Sequence, residues 1–107
     1  MHKSALTIVA ITLAAGLPAS AQSSLDTAQR LANILASEEP CNLSINPDGI
    51  DAYVENNVAP DDLDFANTLR GMITVSDYSI ASLSESELVA QCAATRRAAR
   101  KFDLIDE

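Results

Sequence analysis

Apolar residues recur every three or four positions in four separate stretches of the chain, the spacing of one face of an α-helix. In the first stretch these positions are Leu25, Ala28, Leu31, Ala32 and Leu35. Ser24 precedes them, and serine is a favoured N-cap because its hydroxyl accepts a hydrogen bond from a free backbone N–H. Pro40 disfavours helix in the residue before it. The pattern predicts an amphipathic helix that begins at Leu25 and ends before Pro40.

The second and third stretches each open with a proline. Asn46 and Pro47 fit the N-cap and the first helical position of a second helix. Pro60, followed by Asp61 and Asp62, is expected to start a third helix in the same way. The apolar stripe of the second predicted helix is Ile50, Tyr53, Val54 and Val58. The stripe of the third is Phe65, Leu69, Met72 and Ile73, extended by Ala66 and Val75.

Two features of the third stretch leave alternatives open. Gly71 interrupts the helical pattern, and a glycine there costs about 1 kcal/mol relative to alanine. It therefore indicates either a close approach of another helix or a bend. Residues 75–83 mix Tyr78, Ile80 and Leu83 with serines, so they fit either a continued helix or a loop.

The last stretch has the clearest start. Ser84 and Glu87 match a capping box, in which each side chain bonds the backbone N–H of the other residue. The apolar face that follows is Leu88, Cys92, Thr95, Ala99 and Phe102. Residues 103–107 are expected to fray, unless Leu104 and Ile105 pack back on the core. Residues 41–46 form an extended connector that docks Leu43 and Ile45. The chain thus predicts an all-α fold, a small four-helix domain without a convincing strand.

The N-terminus has the three parts of a secretory signal. Lys3 supplies positive charge, residues 5–17 form an apolar run without charge, and Ala19 to Ala21 resemble a cleavage site. The run is too short to span a bilayer comfortably, which needs roughly 20 apolar residues; an uncleaved anchor is the alternative. We expect residues 1–21 to be a signal peptide and 22–107 a single helical domain. So small an exported domain suggests a bacterial periplasmic or secreted protein.

The only two cysteines, Cys41 and Cys92, bracket most of the predicted mature chain. An even cysteine count behind a signal peptide indicates a disulfide in an oxidising compartment. In the chain-entropy model such a bridge is worth about 4 kcal/mol. A redox-active pair is disfavoured because reactive dithiols usually sit as Cys-x-x-Cys. We therefore expect one structural disulfide, Cys41–Cys92, to close the domain.

Removing residues 1–21 leaves six basic residues against fifteen acidic ones. So acidic a surface repels nucleic acid and anionic lipid. We therefore expect no nucleic-acid partner and no membrane association after signal cleavage. The charge is compatible with cationic ligands or basic protein partners, and the oligomeric state is open.

The predicted mature chain has no histidine, since His2 lies in the signal peptide. Histidine is the commonest general base and metal ligand, so its absence disfavours a catalytic triad and a zinc site. Asp61, Asp62 and Asp64 cluster near a helix start, but no glycine stands where a calcium loop needs one. They are more typical of an N-terminal charge cap. We expect no enzyme activity, no catalytic residues, no metal and no cofactor.

One basic cluster stands out near the C-terminus. It consists of Arg96, Arg97, Arg100 and Lys101. These side chains are candidates for binding an acidic partner. The alternative is a solvated face that complements the helix dipole and pairs with nearby acids.

The chain resembles small, uncharacterised secreted proteins of alphaproteobacteria in Cys41, in the segment from Phe65 to Leu69, and in Cys92 with the arginine-rich helix after it. That resemblance implies a compartment and a helical fold. A weaker, architectural likeness is to the periplasmic acid-stress chaperones of enteric bacteria, which are all-helical and closed by one disulfide. The segment from Leu88 to Cys92 carries this second likeness.

We therefore expect a non-enzymatic periplasmic protein-binding or interaction module. The alternative hypothesis is an acid- or stress-responsive chaperone. At strongly acid pH the carboxylates lose their charge and the remaining cations repel one another. The bundle would then loosen and expose its apolar side chains to clients, namely Phe65, Leu69, Met72 and Ile73.

Overall fold

The computed structural model describes residues 19–107. Most of the predicted signal peptide, residues 1–21, lies outside the described residues. Four helices follow one another: α1 (Ala19–Ala36), α2 (Pro47–Asn57), α3 (Phe65–Ala81) and α4 (Glu85–Lys101). Within residues 19–107 there is no strand. The predicted all-α, four-helix domain is confirmed, and so is its Cys41–Cys92 disulfide.

Helix α1 is the central element, because it contacts each of the other three helices and packs most extensively against α3. Leu31 and Ile34 are almost completely buried in the core. Burying side chains of this size stabilises the fold by about 1.5–3 kcal/mol each. The core is completed by residues from the other helices and the C-terminal segment, namely Tyr53, Phe65, Ala99, Leu104 and Ile105.

The predicted start of the first helix was wrong. Ser24 is not an N-cap: it lies inside α1, is 6% exposed, and so belongs to the buried face. Thr27 is buried on the same face, and its hydroxyl donates to the carbonyl of Ser23 at 2.9 Å. Because these buried residues are polar, the periodicity of apolar residues did not reveal that the buried face extends before Leu25. Leu25 itself is 37% exposed.

A series of turns follows α1, and the connector between α1 and α2 therefore comprises residues 37–46 rather than the predicted 41–46. The chain reverses at Asn42, whose φ of 55° lies in the left-handed region. The N–H of Leu43 bonds the carbonyl of Glu38, and the N–H of Asn42 bonds that of Glu39. This is the Schellman arrangement, which satisfies carbonyls at a helix end. Cys41 thus lies in a turn rather than in extended chain, whereas Leu43 is buried as expected.

Helix α2 begins as predicted. The side chain of Asn46 accepts a hydrogen bond from the N–H of Asp48 at 2.9 Å, and Pro47 takes the first helical position. The N–H of Asn46 also donates to the carbonyl of Leu104 at 2.7 Å. The start of α2 is therefore fastened to the C-terminal segment.

Helix α3 begins at Phe65 rather than at Pro60 as predicted, because the aspartates between these two residues form local turns. The side chain of Asp62 accepts a hydrogen bond from the N–H of Asp64 at 3.2 Å. Aspartate side chains compete with helical hydrogen bonding in this way. Leu63 is 87% exposed, so no apolar contact draws this turn into the helix.

The open segment 75–83 is helical as far as Ala81. Ser76 and Ile80 are buried one and two turns beyond Met72 and Ile73. The expectation that Val75 extends the buried stripe was wrong, because Val75 is 66% exposed and Ser76 faces the core in its place. The exposed side of α3 also carries Tyr78.

Helix α4 starts with the predicted capping box. The N–H of Ser84 donates to the carboxylate of Glu87 at 2.9 Å, and the N–H of Glu87 donates to the Ser84 hydroxyl at 3.2 Å. The helix ends in a second Schellman arrangement around Asp103, whose φ is 58°. This turn sends Leu104 and Ile105 into the core, where both are buried. The last residues therefore pack back rather than fray.

Candidate functional site

The disulfide joins the connector to the middle of α4. The Cα atoms of Cys41 and Cys92 lie 5.2 Å apart. Beside the bridge, the Arg96 guanidinium donates to the carbonyl of Cys41 at 3.1 Å. A further polar contact joins α4 to α1. The side-chain amide of Gln91, on α4, donates to the side chain of Asn33 on α1 at 3.1 Å and to the hydroxyl of Thr95 on α4 at 3.2 Å. The connector is thus held against α4 by one covalent bond and one charge-assisted hydrogen bond.

An open groove of about 760 Å³ lies on the side of the domain where the connector, α3 and the start of α4 meet. We call it the connector groove. Its apolar lining comes from α1 and from all three of these parts: Leu35, Ala36, Pro40, Ile73, Ile80, Ala81, Leu83 and Leu88. Four of its larger side chains are only half-buried, namely Leu35, Ile73, Leu83 and Leu88. Apolar concave surfaces of this kind commonly mark binding sites.

Every charged residue that lines the connector groove is acidic. Glu38 and Glu39 come from the connector and Asp77 from α3. Glu38 is held in place, because its carboxylate accepts a hydrogen bond from the N–H of Ile45 at 3.0 Å. Glu39 and Asp77 are exposed. The groove therefore combines an apolar lining with negative charge from two separate segments.

The disulfide lies next to this groove. Cys41 directly follows Pro40, and Cys92 is one helical turn beyond Leu88 on α4. The bridge thus ties together two segments that form the groove. Its covalent link limits how far those segments can separate.

The basic cluster near the C-terminus is divided by its contacts. Arg96 donates to both carboxylate oxygens of Glu107, at 2.9 and 3.1 Å. Arg100 lies 3.7 Å from the same carboxylate. These two arginines, which share a helix face, therefore hold the end of the chain over α4. This is the pairing with nearby acids that the alternative interpretation of the cluster expected.

The other two basic residues point elsewhere. Arg97 is exposed and forms no ion pair with any residue in the described part of the chain. The ammonium of Lys101 lies 5.8 Å from the centre of the Phe102 ring, and the Arg30 guanidinium lies 5.5 Å from it. Such cation–π contacts are worth about 0.5–1 kcal/mol at exposed sites. The role of the cluster in partner binding stays a prediction, now best placed on Arg97 and Lys101.

No group of three or more potential metal-ligating side chains is found among residues 19–107. One buried polar atom in this range lacks a hydrogen-bond partner, the hydroxyl of Tyr53. The Tyr53 ring packs against Phe102 with their centres 5.1 Å apart, which places it in the core rather than in the connector groove. No helix in the described part of the chain is both long enough and apolar enough to cross a bilayer.

The acidic residues of the connector groove were not identified as site residues from the sequence. Glu38 and Glu39 fall at the predicted end of the first helix, directly before Pro40, and Asp77 falls in residues 75–83, which fit either a helix or a loop. The excess of acidic over basic residues indicated a negatively charged surface. It did not indicate which acidic residues lie together, because Glu39 and Asp77 are far apart along the chain.

Comparisons of the chain with models of protein families, with curated proteins and with solved structures find no match.

Proposed function

We propose that this protein is a non-enzymatic binding module of the bacterial periplasm that holds a segment of a partner protein in the connector groove. The observation that carries the proposal is the apolar lining of that groove, open to solvent on an otherwise acidic domain. The Cys41–Cys92 bridge supports an oxidising compartment, where disulfides persist. It also supports binding, because a preformed groove loses less conformational entropy when a partner docks.

Site-specific photo-crosslinking in cells tests this proposal. A photoreactive amino acid replaces Leu83, which lines the groove, in the full-length chain with its own N-terminus. The matched control carries it at Leu63, an exposed leucine outside the groove. We expect a discrete protein adduct from position 83 that is absent from position 63. No adduct from position 83, or equal adducts from both positions, would contradict the proposal.

The acid-responsive chaperone is the second candidate, and one contact favours it. The C-terminal segment, which buries Leu104 and Ile105, is fastened by the carboxylate of Glu107 to Arg96 and Arg100. That fastening is an ion pair, and its loss would weaken the cover over the core. A chaperone of this kind should unfold at acid pH and suppress aggregation of a client protein there. Retention of the native fold, or unfolding without protection of the client, would exclude it.

A further inference from the structure

We infer that the occupant of the connector groove is a basic amphipathic helix of the partner protein. This inference rests on the proposed function and specifies the chemistry of the partner. Three properties of the groove lead to it: the backbone of its walls, its apolar lining and its charge.

The backbone of the walls favours a helical occupant. The groove is formed by helices and by a connector whose turns are closed by internal hydrogen bonds, such as that from the N–H of Cys41 to the carbonyl of Ser37 at 2.9 Å. Residues 19–107 contain no strand edge to which an extended peptide could add. An extended segment would leave its own N–H and C=O groups without protein partners, whereas a helix satisfies most of them internally.

The lining fits one face of such a helix. Ile73 and Ile80 on α3 lie two turns apart, and Leu83 and Leu88 come from the start of α4 and the turn before it. A helix with apolar residues at i, i+3, i+4 and i+7 presents a continuous stripe that can cover a surface of this kind. Docking would remove the remaining exposed apolar surface of the lining from water, which is favourable.

The negative charge of the groove favours basic residues on either side of the apolar stripe of that helix. Glu39 and Asp77 are exposed and line the groove from two different segments. Lysine or arginine residues beside the apolar stripe of the partner would lie near them, whereas acidic flanks would be repelled. The whole chain has a formal charge of −8, so its field also attracts a basic segment towards the groove.

The basic cluster on this chain does not oppose such a partner. The nearest member of the cluster, Arg96, is separated from Leu88 along α4 by about 12 Å, at about 1.5 Å per residue, and its charge is paired with Glu107. At physiological salt, charges are screened over about 8 Å. At that salt concentration the repulsion between the cluster and a basic helix in the groove is therefore largely screened.

Binding of designed helical peptides tests the inference on the oxidised mature chain. Three fluorescent peptides share one apolar face and differ only in flanking residues, which are lysine, glutamine or glutamate. Fluorescence anisotropy is measured at low and physiological salt. We expect the lysine peptide to bind about tenfold more tightly than the glutamine peptide at low salt. The difference should narrow as salt rises, and the glutamate peptide should bind most weakly.

Two double variants test whether the preference for the lysine peptide arises from the acidic residues of the groove or from the net charge of the protein. Glu39→Lys with Asp77→Lys should abolish or reverse the preference for the lysine peptide. Asp51→Lys with Glu55→Lys, on the exposed side of α2, changes the net charge by the same amount and should retain the preference. Circular dichroism checks that both variants are folded. Equal effects of the two variants would overturn the inference, because the selectivity would then come from net charge and not from the groove.

The remaining outcomes separate this inference from the proposed function. If the lysine and glutamine peptides bind equally, or if no peptide binds although position 83 gives a clear adduct, the inference of a basic helical occupant is overturned. The proposed binding function would then still stand. Absence of both peptide binding and adduct would overturn both. Sedimentation of the protein alone checks for a second copy as occupant. Self-association that is lost in the Glu39→Lys, Asp77→Lys variant would assign the groove to that copy and overturn the inference.

Discussion

Gly49 and Gly71 are both helical glycines, in α2 and α3 respectively, yet their surroundings differ. A Cβ atom added to Gly49 would lie 2.5 Å from the carbonyl oxygen of Asp103. Nothing lies within 4 Å of the corresponding position at Gly71, so a close approach of another helix does not explain that glycine. The close approach occurs at Gly49, where α2 meets the chain just after α4.

These two glycines should therefore respond oppositely to alanine. Gly49→Ala should lower the free energy of unfolding by about 1–3 kcal/mol, because backbone must move to make room. Gly71→Ala should raise it by about 0.5–1 kcal/mol, because alanine favours the helix and no neighbour opposes its methyl group. Urea denaturation of both variants measures the change. A shift of the same sign in both would contradict the contacts described for Gly49 and Gly71.

At the scale of the element, α4 is the helix whose ends are best defined by local contacts. Its first turn is closed by Ser84 and Glu87, and its last by the turn at Asp103. Hydrogen bonds from the backbone and the hydroxyl of Ser84 hold the pKa of Glu87 below its usual value. The folded state therefore favours the charged form of this carboxylate.

The capping box should make part of the stability pH-dependent. A carboxylate with a lowered pKa stabilises the fold above the pKa of the unfolded chain, and this contribution disappears as pH falls through the folded-state pKa. Wild type should therefore exceed Glu87→Gln in stability at neutral pH, and the difference should vanish in strong acid. Urea denaturation at several pH values measures it. Glu85→Gln, in the same helical turn, is the matched control, and an identical pH profile for both variants would contradict the expectation.

At the scale of the whole molecule, the disulfide and the C-terminal segment hold distant parts of the domain together. The bridge spans 51 positions of sequence and links the connector to α4. Arg96 strengthens the same junction through the Cys41 carbonyl and through Glu107. A small domain has a free energy of unfolding of only about 5–15 kcal/mol, so these links contribute a large share of it.

Replacing both cysteines measures the contribution of the disulfide to the free energy of unfolding. The Cys41→Ser, Cys92→Ser variant should lose about 4 kcal/mol of stability, since its unfolded chain regains the entropy that the bridge removes. Chemical denaturation under oxidising conditions measures the loss. Wild type treated with dithiothreitol should unfold at a similar midpoint, which controls for the serine side chains. A loss below about 1 kcal/mol would show that the bridge adds little to the fold.

The four helices and the bridge were predictable from the sequence because their signals are local or unambiguous. The Asn46 N-cap and the Ser84–Glu87 capping box act within a single turn, and two cysteines can pair intramolecularly in only one way. Predictions about the buried faces of α1 and α3 failed where burial overrides local preference. Ser24 and Ser76 face the core although they are polar, and Val75 faces water although it is apolar.

The connector groove depends on the packing of segments that are distant in sequence. Leu35, Ile73 and Leu88 belong to three helices, and no pattern within any one helix places them on a shared surface. Local hydrogen bonding and hydrophobic periodicity are sufficient to specify helices, because both operate over three or four residues. Which helix faces stay uncovered, and which acids border them, follows only from how α1, α3 and α4 pack around one another.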